Sequence, residues 1–229
     1  MKWIANNLPL IGDRLVDHLA LALPAIILSL VLSIPLGWLA NRFARTRGLV
    51  LSVAGLFYAI PSLALFFAIP AIIGTGLRDP LNMTVGLTVY GVALMVRSTA
   101  DGLSSVDPDV IQSATAMGYS PRERFWKVEL PLAGPVLLAG LRVVSVSTIS
   151  LTTVGAVIGV ASLGSLFTDG FGRNIQAEVW TGLLLTIGVA IILDLVIVQL
   201  GRIVMPWTRR ARSVATSRHT AKRREVAAS

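Results

Sequence analysis

The chain has 229 residues, of which 54% are hydrophobic and 14% charged, with a mean hydropathy of +0.75 and a formal net charge of +8. Soluble domains carry roughly 25% charged residues, so a much lower fraction spread between long apolar runs indicates a multi-span membrane protein. No soluble domain of ~100 residues fits between those runs, and the absence of cysteine excludes disulfides, thiolate metal sites and cysteine nucleophiles.

In chain order, residues 1–18 read as an N-terminal segment at the membrane interface. Trp3, Ile4, Leu8, Leu10 and Ile11 are interspersed with polar residues, and Pro9 leaves helicity there open. It does not read as a cleavable signal: Asp13 and Asp17 follow Lys2, and the first apolar run is too long and lacks a small-residue cleavage site. The first span is expected over residues 19–39, with Pro24, Pro35 and Gly37 tolerable inside a bundle. Arg42, Arg45 and Arg47 follow. The second span is expected over 49–73, and a short loop with Arg78, Asp79 and Pro80 leads to a third over 83–96. Residues 97–131 form a polar island. A fourth span is expected over 132–160, then a loop with Asp169, Gly170, Gly172, Arg173 and Asn174, then a fifth span over 179–203. The predicted architecture is all-α and polytopic, with about five transmembrane helices in a domain of residues 19–204 and a basic tail over 205–229.

An odd number of spans places the termini on opposite sides, and basic residues choose the orientation. With the polar island inside, the inner segments carry three, four and eight Lys or Arg in turn, and the outer segments carry Lys2, Arg14, Arg78 and Arg173. The N-terminus is expected outside, and the island and tail in the cytoplasm.

Within the island the sequence writes two short helices. Asp107 is a good N-cap and Pro108 suits the first helical position. Val110, Ile111, Ala114 and Met117 recur at helical spacing, and Gly118 fits the left-handed residue that closes a helix. Ser120, Pro121 and Glu123 then form a capping-box signature for a second helix, expected to end at Leu130-Pro131. The product is a helix, a glycine elbow and a second helix, beside the membrane rather than in it.

Two charges fall inside spans. Arg142 lies ~15 Å above Leu132 and Asp194 ~13 Å above Ile203 at 1.5 Å per residue. Their depths match, and charges in hydrocarbon need partners, so they are expected to pair or to share one polar network. The pair either pins helix to helix or takes part in gating or substrate passage. Gly155 and Gly159 make a G-x-x-x-G suited to close helix packing, with a gate or a subunit seam as the alternative. The fourth span is dense in Ser and Thr. Ser147, Ser150 and Thr152 could line a polar pathway or bond back to their own helix. Trp38, Trp180 and Trp207 fall at span ends as headgroup anchors, which argues against an aromatic cage. His18 and His219 are isolated, so no metal site is expected. The tail, with Arg209, Arg210, Arg212, Arg218, Lys222, Arg223 and Arg224, reads as a solvated positive-inside flank or as a binder of anionic membrane lipids. No catalytic constellation is present. None of the three lysines follows a glycine, so there is no phosphate-binding G-x-x-x-x-G-K-[ST] loop. Any ATP-Mg chemistry belongs to another chain.

Residues 112–131 resemble the EAA loop of ABC-importer permeases. Gln112, Ser113 and Ala114 stand for its first triplet, whose first two positions depart from Glu-Ala, Gly118 is its glycine, and Val128, Leu130 and Pro131 close it. The stretches Y-A-I-P-S-L-A-L-F at 58–66, R-S-T-A-D-G-L-S-S-V-D-P-D-V at 97–110, V-E-L-P-L-A-G-P-V-L-L-A-G-L-R at 128–142 and A-V-I-G-V-A-S-L-G-S-L at 156–166 are similar to the glycine betaine/carnitine/choline/proline branch of that family. The resemblance implies a bacterial inner-membrane permease of type I fold and no enzymatic activity of its own. Its implied partners are two ATP-binding subunits, a second permease subunit of the same or a sister chain, and an extracytoplasmic substrate-binding protein. The implied coupling surface maps onto Ala114, Met117, Gly118, Tyr119, Ser120 and Arg122.

Two rivals differ in class. Arg122, Arg124 and Lys127 on a second short helix imitate a DNA-recognition helix, but tethering between spans argues against nucleic acid. A passive channel or an ATP-independent transporter fits the apolar segments equally well, and ATP dependence of uptake separates it. Among ABC importers, a methionine-type amino-acid permease is the runner-up.

Overall fold

The computed structural model describes residues 2–207, and the basic tail from residue 208, with its reading as a solvated flank or a lipid binder, lies outside the described residues. Ten α-helices and no strand occur among those residues: α1 (Lys2–Asn6), α2 (Leu8–Arg42), α3 (Ala44–Ala59), α4 (Ser62–Ile73), α5 (Pro80–Ser104), α6 (Pro108–Ala116), α7 (Pro121–Arg124), α8 (Leu130–Thr152), α9 (Gly164–Gly172) and α10 (Gln176–Val204). A π turn (Phe125–Glu129) joins α7 to α8, and a 3-10 turn (Thr153–Ile158) extends α8. Among the described residues four helices are long and apolar enough to cross a membrane, and the bent pair α3–α4 makes a fifth span if it counts as one.

α5 is the centre of the bundle. It packs on α2 and α8 and is the most buried of the long helices, whereas α10 lies against α8 and α9 and is the least buried. Apolar burial alone does not drive helices together in lipid, so small residues and interhelical hydrogen bonds hold this seam. A Cβ on Gly91 would collide with the Ser29 side chain, so only glycine lets α5 approach α2 here. The buried Ser29 hydroxyl donates to the Ala25 carbonyl at 2.6 Å and lies 3.3 Å from the Thr88 carbonyl across the seam.

Several expected boundaries are corrected. α2 runs unbroken from Leu8, because Pro9 occupies its first turn, where no N–H partner is needed. The second span is not continuous. Its two halves meet at 102° around Ile60 and Pro61, because a residue before proline is driven out of the α region, and Ile60 has ψ 130°. The carbonyl freed there is not orphaned: the buried Tyr90 hydroxyl donates to the Ile60 oxygen. The third span is longer than expected. Asp79 caps it by accepting from the Leu81 N–H at 2.9 Å, and it continues past Arg97 to Ser104. In the fourth span the α-helix stops at Thr152, so Gly155 and Gly159 do not form a G-x-x-x-G face. Gly155 sits in the 3-10 turn against Met83, and Gly159 closes that turn with φ 84°. The expected loop after it contains α9.

Candidate functional site

Local chemistry builds the elbow. The Asp107 carboxylate accepts from the Asp109 N–H at 2.9 Å and opens α6, with Pro108 at the first helical position. α6 ends as the Tyr119 N–H reaches back to the Ala114 carbonyl at 3.2 Å and the Gly118 N–H to the Thr115 carbonyl at 3.0 Å. This closure needs a left-handed residue, and Gly118 supplies it at φ 87°. A Cβ at Gly118 would meet nothing within 4 Å, so glycine is required for its backbone angle and not for space. Ser120 and Glu123 then cap each other: the Glu123 N–H donates to the Ser120 hydroxyl at 3.3 Å, and the Ser120 N–H donates to Glu123 at 3.2 Å. Hydrogen bonds from the Ser120 hydroxyl first, then the Ser120 N–H and Lys127, hold the exposed Glu123 carboxyl below its usual range.

The second short helix does not end at Leu130-Pro131, contrary to the sequence reading. A proline removes one N–H and crowds the carbonyl four residues back. Here the chain widens into the π turn, where the Leu130 N–H bonds to the Phe125 carbonyl, and Pro131 enters in the first turn of α8. The elbow is therefore continuous with a span. Phe125 is buried among Leu103, Val106 and Leu137, anchoring the turn in the bundle core.

Sequence reasoning missed a clamp. Arg124 donates to Glu129 at 2.7 Å and to the Thr115 hydroxyl at 2.8 Å, so one guanidinium ties α6, α7 and the π turn together. Residues five apart do not face each other on an α-helix, so the pair gives no signal at the usual three or four spacing. The π turn brings it together.

Of the predicted coupling residues, Gln112, Met117, Gly118, Ser120 and Arg122 are exposed, Met117 to 71% of its surface. Tyr119 is half-buried, with the Lys127 ammonium 5.7 Å from its ring centroid. Ala114 is buried, and Val128, Leu130 and Pro131 are half-buried, Leu130 against the core around Phe125. The elbow thus presents a tip with an apolar Met117 on a rigid, internally bonded frame.

The structure brings Arg142 and Asp194 together. The Arg142 Nε donates to Oδ1 of Asp194 at 2.6 Å and an Nη to Oδ2 at 2.8 Å, a bidentate pair joining α8 to α10. Of the candidate pathway residues, Ser150 is exposed and Ser147 half-buried on α8, while Thr152 is buried and donates to the Thr148 carbonyl at 2.7 Å. Among the described residues no group of three or more His, Asp or Glu could hold a metal ion.

Among the described residues the site is thus a bundle of four or five candidate spans, one of them entered through a capped helix–glycine–helix elbow. The chain belongs to the family described as the binding-protein-dependent transport system inner membrane component, whose model matches residues 29–210. It is 30% identical over 190 residues to the glycine betaine/carnitine/choline transport system permease protein OpuCD of Bacillus subtilis, covering 82% of each chain. It is 30% identical over 209 residues to the osmoprotectant import permease protein OsmW of Salmonella typhimurium, covering 90% of this chain and 97% of that one. A chain of the inward-facing MetNI methionine ABC transporter superposes with a TM-score of 0.79 at 21% identity, covering 87% of this chain and 98% of that one. At that identity the likeness establishes the type I ABC-permease fold and nothing about substrate. The chain is a multi-pass permease subunit of an ABC importer, a class that works with ATPase and substrate-binding partners.

Proposed function

We propose that this chain forms the membrane pathway for compatible solutes bearing a quaternary amine, such as glycine betaine, choline or carnitine, or the related secondary amine proline. It would do so with a second permease subunit, two ATP-binding subunits and an extracytoplasmic binding protein. The substrate reading rests on the two relatives named above and on the quoted stretches of sequence. The methionine-type reading has only the likeness of fold behind it. No cofactor is assigned to this chain, ATP-Mg being held by the ATPase.

The mechanism rests on one observation, the exposed Met117 tip on a frame cross-linked by Arg124. A groove on the ATPase would receive Met117, with Gln112, Tyr119 and Ser120 around it. Closure of the ATPases would push a unit that cannot fold away, because α6 and α7 share one clamp. The push would reach α8 without a joint, since the π turn is continuous with it. α8 is bonded to α10 through Arg142 and Asp194, so the two spans would move together and expose Ser147 and Ser150 to alternating sides. In this reading the elbow and residues 205–229 lie in the cytoplasm of a bacterial cell, residues 1–18 lie at the outer face, and residues 19–204 are the permease domain. Arg42, Arg97, Arg122, Arg124 and Lys127 on the elbow side support that orientation.

Uptake of labelled glycine betaine, choline, carnitine and proline into proteoliposomes holding the complete complex tests the proposal. ATP-dependent uptake with mutual competition is the expected result. Uptake without ATP hydrolysis, or competition by methionine alone, would reject it.

A further inference from the structure

A cleft of about 560 Å³ opens between the end of α2 and the turn from α7 into α8. Its walls include Trp38, Asn41 and Arg42 on one side and Arg122 and Trp126 on the other. Arg124 and Glu129 also reach it, but they neutralise each other at 2.7 Å. Arg42 and Arg122 are exposed, and neither has a hydrogen-bond or ion-pair partner among the described residues. The cleft therefore holds two uncompensated guanidinium groups, beside the side-chain amide of Asn41.

Its depth points to the ligand. The apolar run of α2 ends at Leu39, so Arg42 stands where hydrocarbon gives way to headgroups. Trp38 and Trp126 are 39% and 55% exposed, and both pack edge-on against Phe125, at 6.3 and 5.2 Å between centroids. Exposed indoles at a span end sit at the headgroup level. Guanidinium groups bind phosphate oxygens in bidentate fashion. We propose that this cleft binds the phosphate of an anionic phospholipid headgroup, held between Arg42 and Arg122. The lipid would bridge α2 to α7 and set the position of the elbow against the membrane. Soluble phosphate shares the chemistry of the arginines but gains nothing from the exposed indoles.

The test uses the full transporter, permease with its ATPase subunits, exchanged in detergent into mixtures of phosphatidylglycerol and phosphatidylcholine. Native mass spectrometry counts the lipid retained. Wild type retains phosphatidylglycerol over phosphatidylcholine. Arg42→Gln weakens that retention roughly fivefold, and Arg42→Gln/Arg122→Gln by a further factor of about five, at ~1 kcal/mol for each surface cation. Arg42→Lys keeps most of it. Residues 208–229 are present in every variant, so the difference reports on the cleft, and the intact mass of the complex reports whether assembly survives. Equal retention in wild type and the double variant overturns the proposal. Displacement of the lipid by inorganic phosphate, without headgroup preference, assigns the site to a soluble anion and overturns the lipid. Loss of the ATPase subunits from the double variant with lipid retention intact makes the cleft a protein-docking surface and equally overturns it. No transported solute enters the assay, so its outcome is independent of the proposed substrate.

Discussion

Replacing Gly118 with valine separates the elbow's shape from its contacts. At φ 87° a glycine is unstrained, whereas a β-branched residue held there costs about 1–3 kcal/mol. Nothing in this chain lies within 4 Å of the new Cβ, so steric conflict adds nothing inside the subunit. The expected penalty is thus local and small beside the stability of the bundle. It falls on the closure of α6, where Tyr119 bonds to Ala114 and Gly118 to Thr115. Gly118→Asn is the matched control, because asparagine tolerates the left-handed region. Gly118→Val, and likewise Gly118→Asp, should insert into membranes at normal levels, yet bind the ATPase subunits weakly or hydrolyse ATP without import. Gly118→Asn should retain more of both functions than Gly118→Val. The assay is the ratio of solute imported to ATP hydrolysed in proteoliposomes. Normal coupling in Gly118→Val would refute the reasoning and reduce the elbow to a passive loop. A defect as deep in Gly118→Asn as in Gly118→Val would refute the backbone explanation, because any Cβ would then be harmful.

Arg142→Gln leaves the Asp194 carboxylate unpaired within a span. Transport should fall on the order of tenfold or more, with the swap Arg142→Asp/Asp194→Arg restoring part of it; a swap no better than either single variant would refute direct pairing. Tyr90→Phe removes the donor to the Ile60 carbonyl at the α3–α4 bend and should lower bundle stability by about 1–2 kcal/mol, read as a thermal shift in detergent. Arg124→Leu should loosen the elbow from the π turn, with coupling lost while the membrane level of the subunit is kept; Thr115→Val should show a milder form, since Arg124 keeps Glu129.

The elbow was legible in the sequence because its signals are local. A cap at Asp107, a left-handed residue at Gly118 and the Ser120–Glu123 box each act within four residues. The Arg142–Asp194 pair was legible for a different reason, since two intramembrane charges at matched depth have few other partners. What escaped depends on tertiary compensation. Pro61 stands openly in the second apolar run, but a proline there bends a span only when another helix satisfies the freed carbonyl, and that donor is Tyr90, 30 residues away. Pro131 was read as a helix end because the cost of an interior proline is usually decisive. The π turn removes that cost and also creates the Arg124–Glu129 clamp, so the two omissions have one cause. Gly155 and Gly159 are closely packed as the spacing suggests, but not on one helix face, because a helical spacing says nothing about where the α-helix stops.

The chain has no cysteine, so a single introduced thiol reports one position without background. Met117→Cys places it on the exposed tip of the elbow, and Asp169→Cys places one on α9, at the end of the bundle assigned to the outer face. Cross-linking in membranes that hold the complete transporter asks directly whether the elbow is the docking element for the ATPase. The expected result is a permease–ATPase adduct from Met117→Cys that changes in yield on addition of ATP, and none from Asp169→Cys. An adduct from Asp169→Cys, or none from Met117→Cys in an assembled complex, would contradict both the orientation and the coupling mechanism.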